Sequence, residues 1–134
     1  MNEVHETVRM GNRWLPGAAF TLVCLLLAVD SAMKLLQLRP VVEANAALGF
    51  NATETLIIGG ILAICLTLYV IPISRFTGAL LLTGYLGGAV AIHFRARSSL
   101  FETLFPVFVG LLLWGALLWF SPEARGLPWL RRLN

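Results

Sequence analysis

Asp30 and Lys34 lie four residues apart inside the apolar run Leu15–Leu38. On a helix that spacing puts both side chains on one face, where carboxylate and ammonium can pair. An ionised group at membrane depth is costly, so it normally faces a bundle interior and a partner. Two chemistries fit: an ion pair that docks this helix against its neighbours, or a polar site sunk into the membrane. Glu54, His93, Arg95 and Glu102 sit at the edges of other apolar runs, and Tyr85 places a phenol inside one. Each has a bland account of its own. Lys34 can snorkel, Glu54 can favour a helix N-terminus by its charge, and His93 can be an interfacial side chain. His5 and His93 are the only histidines and lie in unlike surroundings, so neither zinc nor haem ligation is expected. Cys24 and Cys65 stand alone in separate runs without a C-x-x-C spacing, which reads as packing rather than dithiol chemistry.

The elements that must position these residues follow from composition. The chain has 134 residues, 58% hydrophobic and 13% charged, with mean hydropathy +0.82. A soluble domain carries about 25% charged residues, so this is a membrane protein of one domain. The net charge of +3 comes from scattered basic residues rather than a stripe, and nucleic-acid binding is not expected.

Four apolar runs stand out: Leu15–Leu38, Glu54–Ile73, Phe76–Phe94 and Leu104–Phe120. A helix needs about 20 residues to cross roughly 30 Å of hydrocarbon, and backbone hydrogen bonds must close within each segment. The prediction is an all-α fold, an integral membrane four-helix transmembrane bundle over residues 15–120. Residues 1–14 and 121–134 are read as cytoplasmic N- and C-terminal tails. Arg39-Pro40, Ile71-Pro72, the stretch Arg95 to Ser99, and Ser121-Pro122 supply the breaks. Val41 to Phe50 is only moderately apolar and reads as a short interfacial helix or a re-entrant turn.

Orientation follows from the basic residues of short loops. Arg9, Arg13, Arg75, Arg125, Arg131 and Arg132 share the side of both termini, against Arg39, Arg95 and Arg97 opposite, which places both termini in the cytoplasm. Trp14, Tyr69 and Trp119 fall at the same ends, as an interfacial aromatic belt would. The length of the first run and the lack of a clear A-x-A-like site favour a retained anchor over a signal peptide. With this topology the polar residues converge on the outer half. Asp30 lies about 5 Å past the middle of the first helix, at ~1.5 Å per residue, and Lys34 lies one turn further out. Glu54, His93 and Glu102 approach the same level from the other helices.

The third run carries Gly84 and Gly88 as a small-xxx-small pair, and Thr83, Gly87 and Ala91 as another on an adjoining face. Such residues let helices approach closely in lipid, so Gly84, Gly87 and Gly88, with Gly59 and Gly60 in the second run, are expected to pack helices. Gly110 and Gly115 suggest the same in the fourth. The Tyr85 hydroxyl needs a partner at mid-membrane, and Asp30 is the nearest expected one.

The run Arg75 to Arg95, RFTGALLLTGYLGGAVAIHFR, resembles the core signature of the DoxX-like family of small bacterial four-span membrane proteins. Asp30-x-x-Met33-Lys34-Leu35, Val42-Glu43 with Leu48-Gly49, and Tyr69-x-x-Pro72 also resemble that family's pattern. The resemblance implies a compact four-helix bundle, distantly similar to sterol isomerases and to the animal membrane chaperone for acetylcholine receptors. It also implies a link, for some members, to thiosulfate:quinone oxidoreduction or to oxidative-stress complexes with superoxide dismutase and a sulfurtransferase.

Three functional classes remain open. The first is a binding or assembly protein whose buried polar pocket takes a small hydrophobic ligand or supports a membrane complex. The second is a membrane subunit of a quinone-linked oxidoreductase, in which Asp30, Glu54 or His93 would move protons. The third is a proton or small-solute pathway. Chain length favours the first. The expected pocket residues are Asp30, Lys34, Tyr85 and His93, then Glu54 and Glu102, with no catalytic residue assigned. No cofactor is evident, and a quinone or lipid-like molecule is the ligand class that fits. Expected partners are membrane lipid, a protein in a membrane complex and a second copy of the chain. The expected location is the bacterial inner (plasma) membrane, multi-pass.

Overall fold

The computed structural model describes residues 14–120; residues 1–13 and 121–134, the expected tails apart from Trp14, lie outside them. Five α-helices follow one another: α1 (Trp14–Leu35), α2 (Arg39–Ala47), α3 (Ala52–Val70), α4 (Arg75–Arg95) and α5 (Leu100–Phe120). All but α2 are long and apolar enough to cross a membrane. The expected four-helix membrane architecture is the one found. Each long helix packs against two others, in the cycle α1, α3, α4, α5 and back to α1. Short connections make consecutive spans antiparallel.

The boundaries have local causes. Val41 to Phe50 falls mainly in a short helix rather than a re-entrant turn, and Pro40 at its start places a residue without an N–H where no donor is needed. α3 opens with a capping box: Asn51 accepts from the Glu54 amide at 2.8 Å, and the Glu54 carboxylate accepts from the Asn51 amide at 2.7 Å. Ser99 and Glu102 make the same reciprocal arrangement ahead of α5, at 2.9 and 3.3 Å. Three helices stop alike at one end of the bundle. Gln37 (φ 53), Gly49 (φ 95) and Arg97 (φ 54) adopt the left-handed conformation. The next amides, of Leu38, Phe50 and Ser98, reach back to the carbonyls of Met33, Asn45 and His93, the six-to-one bond of a Schellman stop.

The opposite half is densely filled. Val23, Leu62, Leu82 and Leu113 are completely buried along the bundle axis. Tyr69 is completely buried as well and donates its hydroxyl to the Leu113 carbonyl at 2.9 Å. That corrects its expected place in an interfacial belt, because a ring directed at the axis finds both apolar contact and an acceptor there. Trp14 and Trp119 are exposed. Arg75 donates to the Tyr69 and Val70 carbonyls at 3.2 Å, closing the end of α3, and stacks 5.0 Å from the Phe20 ring.

Of the five glycines expected to pack helices, Gly59 does so and the other four do not. A Cβ added at Gly60, Gly84, Gly87 or Gly88 would meet nothing within 4 Å, so none of these four brings two helices of the bundle together. The close approaches occur at Gly59, against Lys34 and the Leu35 amide, and at Gly78, against the Tyr69 backbone. Gly115 is also open, and Gly110 is in ordinary contact with Leu86.

Candidate functional site

Lys34 occupies the last turn of α1, where a cation favours the helix dipole. Its stem lies against Gly59 of α3, and one turn earlier the Ser31 hydroxyl donates to the Gly59 carbonyl at 2.9 Å. Missing bulk at Gly59 and a short polar side chain at Ser31 therefore draw the ends of α1 and α3 together. That fixes the lysine, whose carbonyl also accepts from Gln37 Nε2 at 2.8 Å. The ammonium pairs with Asp30, as the four-residue spacing predicts. The two partners are unequally sheltered: the Lys34 side chain is 11% exposed and that of Asp30 43%.

From this seat the Lys34 ammonium stands 6.0 Å from the centre of the Tyr85 ring on α4, at the outer limit of a cation–π contact. The expected hydrogen bond between the Tyr85 hydroxyl and Asp30 does not form; the phenol meets the pair through its ring. Two turns further along α4, His93 Nδ1 shares a 3.1 Å hydrogen bond with Ser98 Oγ, which leaves Nε2 for another partner.

Between Lys34, Tyr85 and His93 lies a cavity of about 370 Å³. Its walls are Ile58 of α3 and the Gly84, Tyr85, Gly88, Ala89, Ile92 and His93 side of α4. Asn45 and Leu48, with Phe50 just beyond, roof it from α2. Gly84 and Gly88, rather than touching another helix, leave this space open. The cavity is apolar over most of its surface, with an ammonium, a phenol, an imidazole and a carboxamide at its polar points. A broader groove of about 670 Å³ follows Trp14, Gly17, Thr21 and Leu25. Its described lining is one face of α1 without an ionisable side chain, so it offers no comparable chemistry.

Three expected pocket residues, Lys34, Tyr85 and His93, thus meet around one cavity; Asp30, expected among them, does not line it and instead pairs with the lysine from its flank. Glu54 and Glu102 do not line it, since their carboxylates are spent on helix caps. Asn45, Leu48 and Phe50 escaped the sequence reading, because nothing in an isolated nine-residue helix says which way it folds back. Among the described residues no group of three or more His, Cys, Asp or Glu is placed to hold a metal ion. Cys65 is buried in the core and Cys24 packs against it, both unbridged.

Comparison with curated proteins and with solved structures gives no match. The family model for the DoxX-like family matches residues 18–116, which take in every residue of the cavity. With four helices of membrane-crossing length inside or overlapping that match, the chain is a multi-pass membrane protein that belongs to the DoxX-like family.

Proposed function

We propose that this protein binds a small hydrophobic molecule in the cavity beneath α2, with the ligand's polar atoms toward Lys34, Tyr85 and His93 and its apolar body against Phe50, Ile58 and Ile92. The observation that carries this reading is the cavity itself, about 370 Å³ of mostly apolar space with a few convergent polar groups. Ligand sites have that composition and span roughly 300–1,000 Å³. A quinone or another lipid-like molecule fits the chemistry, and the family resemblance connects such binding to redox or oxidative-stress physiology. The balance of arginines supports a reading with both termini in the cytoplasm, in which the cavity would lie toward the outer leaflet. A proton or solute pathway is less well supported. The polar residues gather at one end, and the layer of Val23, Leu62, Leu82 and Leu113 fills the axis beyond them.

Native mass spectrometry of protein purified in mild detergent, with lipid and quinone extraction, tests the proposal. A defined small molecule at one per chain, lost in Asp30→Asn, supports it. An empty bundle that copurifies with another protein would favour an assembly role and make the Asp30–Lys34 pair structural.

A further inference from the structure

Lys34 is the only lysine among the ten basic residues of the chain; the other nine are arginines. Were a cation needed solely to pair with Asp30, arginine would serve better, since its planar fork matches a carboxylate with two hydrogen bonds. What lysine has and arginine lacks is a primary amine able to act as a nucleophile towards carbonyl carbon. Lys34 lines the cavity, its side chain is only 11% exposed, and its ammonium has a carboxylate beside it.

We propose that Lys34 is a carbonyl-reactive amine, and that a small apolar aldehyde entering the cavity condenses with its Nζ to form a Schiff base paired with Asp30. The inference rests on the reading of the cavity as a binding site for apolar molecules. The ammonium first passes a proton to the Asp30 carboxylate, and the free amine attacks the aldehyde carbon to give a carbinolamine. Asp30 returns the proton to the departing hydroxyl. Overall, the carbonyl oxygen and two of the three N–H protons leave as water, a C=N bond replaces C=O, and nothing is oxidised or reduced. The nitrogen keeps one proton and its positive charge. Asp30 therefore still faces a cation, and the Tyr85 ring, 6.0 Å from the ammonium, still offers its π face. Apolar walls admit a hydrocarbon chain and limit the water that would hydrolyse the product.

The test is to incubate the full-length protein in mild detergent with decanal and sodium cyanoborohydride, then measure intact mass and map the modified peptide. The only competing amine is the chain's α-amino group, which serves as an internal reference. The expected result is one decyl group on Lys34, suppressed by excess decanol and absent in Lys34→Arg, beside whatever forms on the α-amine. Because the site is located in the unmutated protein, the result does not depend on that variant folding. A decyl group on the α-amine alone would overturn the proposal. If decanol still binds at one per chain in that case, the cavity reading stands without the amine chemistry; if decanol does not bind, both fall.

Discussion

A methyl group built on Gly59 would lie 2.7 Å from the Cβ of Lys34, closer than two such atoms can come. The obstacle is the root of the lysine side chain with the Leu35 amide behind it, not a flexible tip. Gly59→Ala must therefore push α1 from α3 and break the Ser31 hydrogen bond. We expect a loss of about 1–3 kcal/mol, the usual range for overpacking, read as a lower melting temperature in detergent. Gly60→Ala, one residue on and facing open space, should instead be neutral or stabilising by up to ~1 kcal/mol through helix propensity.

The unequal burial of the ion pair sets an order of stabilities. Asp30→Asn leaves a sheltered ammonium without its counter-charge, whereas Lys34→Met leaves a carboxylate with more freedom to find other partners. Thermal unfolding should rank the former as the less stable, with the double variant recovering part of the loss. Equal effects that simply add would mean that the two side chains do not act as a pair.

Asn51→Ala removes one half of the α3 capping box and should cost about 1 kcal/mol. Because Glu54 and Glu102 lie outside the cavity, Glu54→Gln and Glu102→Gln should leave decanol binding at the wild-type level. Loss of binding in either would place those carboxylates nearer the ligand than their hydrogen bonds indicate.

Gly49 ends α2 at φ 95, where a side chain is strained. Gly49→Ala should cost about 1–2 kcal/mol locally and loosen the roof formed by Asn45, Leu48 and Phe50. Hydrogen exchange should accelerate over residues 39–47 and leave the amides of Leu62 and Leu113 protected.

Much of this arrangement is legible in the residue order. Hydropathy alone delimits the spans, since lipid leaves helices as the simplest solution for an apolar run, and the spacing of Asp30 and Lys34 implies their pairing. The caps are legible too, for Asn51-x-x-Glu54 and Ser99-x-x-Glu102 have capping-box spacing, and a carboxylate at a helix start has a partner there without any pocket. The glycines mark where local pattern runs out. Gly84-x-x-x-Gly88 and Gly59 look alike as small residues in apolar helices, yet one pair borders a cavity and the other residue touches a helix. The difference lies in how far α1 and α3 are drawn together by Ser31, which is a property of the packed bundle. Tyr69 is a similar case: it lies one residue from the end of α3, where sequence suggests an interfacial ring, but it is buried and its hydroxyl reaches Leu113.

Filling the cavity tests the binding claim most directly. Gly88 borders it, and a Cβ there meets no neighbour within 4 Å, so Gly88→Leu has room to start its side chain and directs an isobutyl group toward the ligand's space while improving helix propensity by roughly 1 kcal/mol. Native mass spectrometry after loading with decanol, run beside a melting curve, should show one decanol per wild-type chain. The variant should carry none, at an equal or higher melting temperature. Equal decanol loading of the two proteins would contradict a binding site beneath α2.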